Sequence, residues 1–91
     1  MKQDAKTQKK AAALKYDPQK DGAPVLTAAG KGLVADRIIE AAHENDVPVV
    51  QDEGLAGLLS HMPVGREIPP ELYRAVAEIL VFISRIDEKY G

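Results

Sequence analysis

The chain has 91 residues, with 12 basic and 14 acidic side chains, a formal net charge of −2 and no cysteine. This length holds one hydrophobic core and excludes a second domain. The mixed charge argues against a general nucleic-acid binder, which would show a basic stripe, and the absence of cysteine excludes a disulfide framework and a thiolate nucleophile or ligand.

Hydrophobic residues make up 45% of the chain, which is ordinary for a packed domain. The aromatic residues are Tyr16, Tyr73, Phe82 and Tyr90, so Leu, Val, Ile and Ala must build the core. No apolar run approaches the roughly 20 residues that span a bilayer. The N-terminal lysines are not followed by the apolar region of a signal peptide. The expected compartment is the cytoplasm.

Residues 1–10 read as a flexible basic tail, with Lys2, Lys6, Lys9 and Lys10 against Asp4. Residues 11–91 read as the folded domain. A first strand is predicted over roughly 11–16. Its three alanines have weak β propensity, so tertiary context must support it. Asp17-Pro18 ends it, because proline donates nothing to a ladder. A turn through Asp21-Gly22 leads to a second strand over roughly 24–28, where Pro24 fits only at the start or on an edge.

Gly30-Lys31-Gly32 reads as a loop before a helix. Such a loop can cradle phosphate, but AAGKGL lacks the GxxxxGK[ST] spacing and no GxGxxG is present. A helix is predicted over roughly 31–45. Leu33, Ile38 and Ala41 form its apolar stripe, widened by Val34, Ile39 and Ala42. His43 suits the negative end of the helix dipole. Val47-Pro48-Val49-Val50 is predicted as a buried strand, roughly 47–51, closing a strand–helix–strand crossover.

A short helix follows over roughly 54–61, with Leu55, Leu58 and Leu59 inward, and then a loop containing Gly65. His43 and His61 are far apart in sequence, and neither has carboxylates at metal-ligand spacing, so neither a metal nor another cofactor is expected. Ile68-Pro69-Pro70-Glu71 opens a last helix over roughly 69–88, where proline is tolerated in the first turn. Leu72, Val76, Ile79, Leu80, Ile83 and Ile86 recur at helical spacing, flanked by Tyr73, Ala77 and Phe82. The expected fold is α/β: a small three-layer-like domain of about three strands with three helices packed around the sheet.

AAALKYDPQKDGAPVL, ADRIIEAA, NDVPVVQ, GLAGLL and VGREIPPELYRAVAEIL follow one another in this chain. In that order they resemble the cytoplasmic C-terminal domain of the FlhB/YscU export-switch proteins of flagellar and virulence type III secretion, and the flagellar branch more than the virulence branch. The resemblance covers about residues 11–86. It implies a non-enzymatic component or modulator of the flagellar export apparatus, acting like the cleaved C-terminal fragment in protein export and substrate recognition. Family members carry an N-terminal membrane domain and an Asn-Pro-Thr-His motif before the first strand. Here no membrane domain is expected, and Lys6-Thr7-Gln8-Lys9 occupies the motif positions. Lys6 has no side-chain amide to close a succinimide, so no self-cleavage is expected.

The resemblance further implies a shallow apolar surface for export substrates, formed by Ala23, Pro24, Ala77 and Leu80. It also implies an open sheet edge that takes a strand from the membrane or truncated portion of FlhB, alongside other export-gate components. The chain is then expected to be cytoplasmic and recruited to the gate at the inner membrane, with no direct membrane insertion and no nucleic-acid partner. The alternatives are a small nucleotide-binding or enzymatic α/β domain unrelated to export, supported by the AAGKG stretch and the two histidines, and a protein that self-assembles through its open edge.

Overall fold

A computed structural model describes residues 9–90, with side chains described as far as Ile83. Two strands, β1 (Lys10–Lys15) and β2 (Val25–Lys31), form an antiparallel pair. Helix α1 (Leu33–Glu44) follows β2, then α2 (Glu53–Leu59), a 3-10 turn over Pro70–Leu72, and the long helix α3 (Tyr73–Tyr90). β1 begins at Lys10, inside the stretch read as a tail; the rest of that stretch, apart from Lys9, lies outside the described residues.

The ladder pairs Ala12 with Ala29 and Leu14 with Leu26, with a register shift between Ala13 and Leu14. Thr27 is the extra residue, and its hydroxyl donates to the Ala13 carbonyl at 3.2 Å. The bulge keeps Leu26 on the same face as Ala29, where a strict alternation would turn it away. That face, with Ala12, Leu14, Leu26 and Ala29, packs with Leu55, Leu59, Ile68, Leu72 and Val76 in the main core. Leu26 and Val76 are its largest fully buried side chains.

The opposite face of the sheet is covered by α1. Gly30 approaches it so closely that a Cβ there would overlap the side chain of Val34. Ala35 is completely buried in this second contact. Small residues on both sides let the helix sit tightly on the strands. The arrangement is helix, sheet, helices, and so matches the expected three layers.

Four expectations are corrected. Val47–Val50 is not a strand: Val47, Val49 and Val50 are exposed and belong to no ladder. Asp46 takes a positive φ of 58°. Val47 N–H then bonds the Ala42 carbonyl at 2.8 Å and Asp46 N–H bonds that of His43, a Schellman-type end to α1. Pro48 interrupts the donors that a following strand would need. Second, the inward face of α1 is Ala35, Ile38, Ile39 and Ala42, while Leu33 is 78% exposed and Val34 half exposed. Third, Leu58 points outward while Leu55 and Leu59 are buried.

Fourth, Gly30 and Lys31 belong to β2 and form no phosphate loop. The Gly32 N–H is committed to the Lys9 carbonyl at 2.7 Å. The helix starts otherwise follow familiar chemistry. Asp52 caps α2 by accepting from the Leu55 N–H at 3.1 Å, and Pro70 occupies the first position of the 3-10 turn leading into α3.

Candidate functional site

One end of the sheet is built by a compact turn. Its tightness follows from the Asp-Pro pair that ends β1. The Asp17 carbonyl accepts from Lys20 and Asp21 at 3.0 and 2.8 Å. The Asp17 carboxylate accepts from Gln19 N–H, and the Asp21 carboxylate accepts from Asp17 N–H, each at 3.0 Å. Acidic side chains of this length satisfy the turn's own backbone donors.

The chain leaving the turn is clamped by residues 65–68. Glu67 forms an isolated bridge with Val25. Leu26 N–H donates to the Arg66 carbonyl, Gly65 N–H to that of Leu26, and Ile68 N–H to that of Pro24, at 2.7–2.9 Å. The Glu67 carboxylate also accepts from Gly22 N–H at 3.2 Å. Gly65 has φ 95°, a conformation that favours glycine, and it lets the strap turn onto β2. Sequence reasoning placed residues 65–67 in a loop and Ile68 at the opening of the last helix, because a single bridge leaves no alternating pattern to read.

Between the turn and α3 lies a cavity of about 160 Å³ lined by Tyr16, Gly22, Ala23, Pro24, Tyr73, Ala77 and Leu80. The four residues singled out from the sequence, Ala23, Pro24, Ala77 and Leu80, therefore line one pocket although more than fifty residues separate the two pairs. Ala23 and Pro24 form a buried floor, Ala77 is exposed, and Leu80 is half buried against the core. Tyr73, Ala77 and Leu80 fall at i, i+4 and i+7 on α3, so one helical face supplies that wall.

Tyr16 and Tyr73 line the pocket too and were not assigned to it from the sequence. Tyr73 was legible as a neighbour of Ala77 on the helix. Tyr16 carried no such signal, since it follows the last residue of β1. Each tyrosine is half exposed, an amphipathic wall beside small apolar residues. No titratable group lines the cavity except these two phenols. The pocket is therefore suited to holding an apolar side chain and has no nucleophile–base pair. His43 and His61 are both exposed and lie outside it.

The model of the family described as FlhB HrpN YscU SpaS matches residues 8–83. The chain belongs to this family. FlhB of Aquifex aeolicus is 49% identical over 74 residues, which are 80% of this chain and 21% of that protein. Protein YlqH of Bacillus subtilis is 50% identical over 80 residues, covering 88% of this chain and 86% of YlqH. The chain thus spans about a fifth of the FlhB protein and most of YlqH.

Among solved structures, the cytoplasmic domain of FlhB from Shewanella putrefaciens matches with a TM-score of 0.77 at 35% identity, over 81% of this chain and 62% of that one. The PscU C-terminal domain gives the same TM-score at 29% identity, over 81% and 95% of the two chains. The fold is that of an FlhB/YscU C-terminal domain. Among the described residues, no helix is long and apolar enough to cross a membrane.

Proposed function

We propose that this chain is a cytoplasmic, non-enzymatic component or modulator of the flagellar type III export apparatus. It acts as the C-terminal fragment of an FlhB protein does, and its apolar pocket receives an apolar side chain of an export substrate. The observation that carries this reading is the convergence of Ala23, Pro24, Ala77 and Leu80 on one cavity, walled by Tyr16 and Tyr73. The likeness to flagellar FlhB proteins supports the export context.

The gate-side partner is the membrane or truncated portion of FlhB. Among the described residues, no backbone hydrogen bond reaches β1 from the side away from β2. Such an edge takes a strand readily. The chain is recruited to the inner-membrane gate through that pairing. It does not cleave itself. Of the positions that correspond to the cleavage motif, Lys6, Thr7 and Gln8 lie outside the described residues, and only Lys9 lies within them.

A peptide titration tests the pocket. The chain has no tryptophan, so tyrosine emission at Tyr16 and Tyr73 serves as the reporter. A peptide from the N-terminal region of a flagellar export substrate should bind saturably, and the Ala77→Asp protein should not bind it. Equal binding by Ala77→Asp, or no binding by either protein, counts against the reading. For the cleavage claim, the intact mass should stay unchanged on prolonged incubation; a product broken after Lys6 would contradict it.

A further inference from the structure

The cavity between the turn and α3 offers a ligand few polar groups. Its side chains are those of Ala23, Pro24, Ala77 and Leu80, with the two tyrosines. The backbone around it is largely committed. Gly22 N–H is held by the Glu67 carboxylate at 3.2 Å. Pro24 has no N–H, and its carbonyl accepts from Ile68 N–H at 2.9 Å. Tyr73 N–H donates to the Pro70 carbonyl, and Ala77 and Leu80 lie within α3.

The hydroxyls of Tyr16 and Tyr73 differ from these groups. Neither bonds to another protein group among the described residues. They come from different walls: Tyr16 follows the last residue of β1, and Tyr73 is the first residue of α3. Tyr16 is 43% exposed and Tyr73 44%, although both line the cavity. A tyrosine so placed packs its ring on apolar neighbours and keeps its hydroxyl in water.

We infer that these two phenols bind the backbone of the segment whose apolar side chain fills the cavity. Each phenol can donate to a peptide carbonyl and accept from an amide N–H. An extended chain leaves those groups free, whereas a helix uses them internally. The ligand is therefore an extended apolar segment, held by one buried side chain and by the main chain beside it. Every sequence has the same main chain, so the phenols add affinity without demanding a particular neighbour. Water competes for exposed groups, so each bond adds modestly. The inference rests on the export reading of the pocket and gives that pocket's ligand a conformation.

Calorimetric titration tests it without relying on tyrosine emission. The export-substrate peptide is titrated into the parent chain, Tyr16→Phe, Tyr73→Phe and the double variant. Each change removes one oxygen and keeps the ring, so the melting temperature should stay that of the parent. Affinity should fall about three- to tenfold in each single variant, the size of one partly solvated hydrogen bond. The same peptide, driven into a helix by aminoisobutyrate on both sides of its apolar residue, should bind the parent more weakly. Unchanged affinity in the double variant overturns the inference. So does a loss of affinity that only follows a fall in melting temperature, or equal binding of the helical peptide. Those outcomes leave the pocket itself as a peptide site. Absence of binding to the parent chain removes both the export reading of the pocket and this inference.

Discussion

Gly22 N–H donates to the Glu67 carboxylate at 3.2 Å, joining two segments 45 residues apart in the chain. The bond fixes the turn that carries Ala23 and Pro24 against the strap that leads to α3. Gly22, Ala23 and Pro24 all line the pocket, so the bond anchors one of its walls. In Glu67→Ala the turn loses this anchor while the backbone bonds of Leu26 and Ile68 remain. The cost in stability should be small, about 1 kcal/mol or less for a partly solvated bond. Peptide affinity at the pocket should fall several-fold, measured by the same tyrosine titration. An unchanged affinity would show that the turn is held by its own Asp17 and Asp21 bonds.

Ala77 and Leu80 separate binding from folding. Ala77 is exposed, so Ala77→Asp should change the melting temperature little and abolish peptide binding. Leu80 is half buried and packs on the main core. Leu80→Glu should abolish binding and also destabilise, because it sets a carboxylate against the apolar core cluster. Thermal melts of the two variants beside the titrations distinguish these outcomes. Equal destabilisation of both would mark Ala77 as a core position.

Val76 is among the best-buried side chains. Val76→Ala removes two methyl groups and leaves a void in the main core. The expected loss is about 2–3 kcal/mol in a urea unfolding experiment. In a domain of this size that is a substantial share of total stability.

Gly30 tests the second layer. A methyl group there overlaps Val34, so Gly30→Ala should cost about 1–3 kcal/mol. Val34 is itself half exposed and contributes little to the core. The double variant Gly30→Ala/Val34→Ala should recover only part of the loss, because the Cβ of residue 34 itself lies 2.7 Å from the new methyl group. A double-mutant cycle from denaturant midpoints reads this coupling directly.

Much of the fold was legible because periodicity and breakers agreed. The stripe through Leu72, Val76, Ile79 and Leu80 placed the last helix, and Asp17-Pro18 placed the end of β1. The pocket was legible only through resemblance: no local pattern links Pro24 to Ala77. Where sequence and structure part, a tertiary cause is visible. Val47–Val50 has strand composition, but a strand also needs a neighbour, and the ladder of described residues ends with β1 and β2. Leu33 satisfies an apolar stripe, yet the small residues Ala35 and Gly30 decide which face of α1 meets the sheet. Residues 65–68 become an edge strap through backbone bonds to β2, and backbone partners leave no side-chain signature.

The central claim is that this chain serves export in the manner of an FlhB C-terminal fragment, through its pocket. The most direct measurement is secretion of flagellar substrates by cells whose FlhB is truncated at its cleavage site, with this chain supplied separately. The wild-type chain should be retained with the truncated FlhB and restore secretion, while the Ala77→Asp chain should be retained and fail to restore it. Retention of neither chain, or equal secretion with both, would contradict the account.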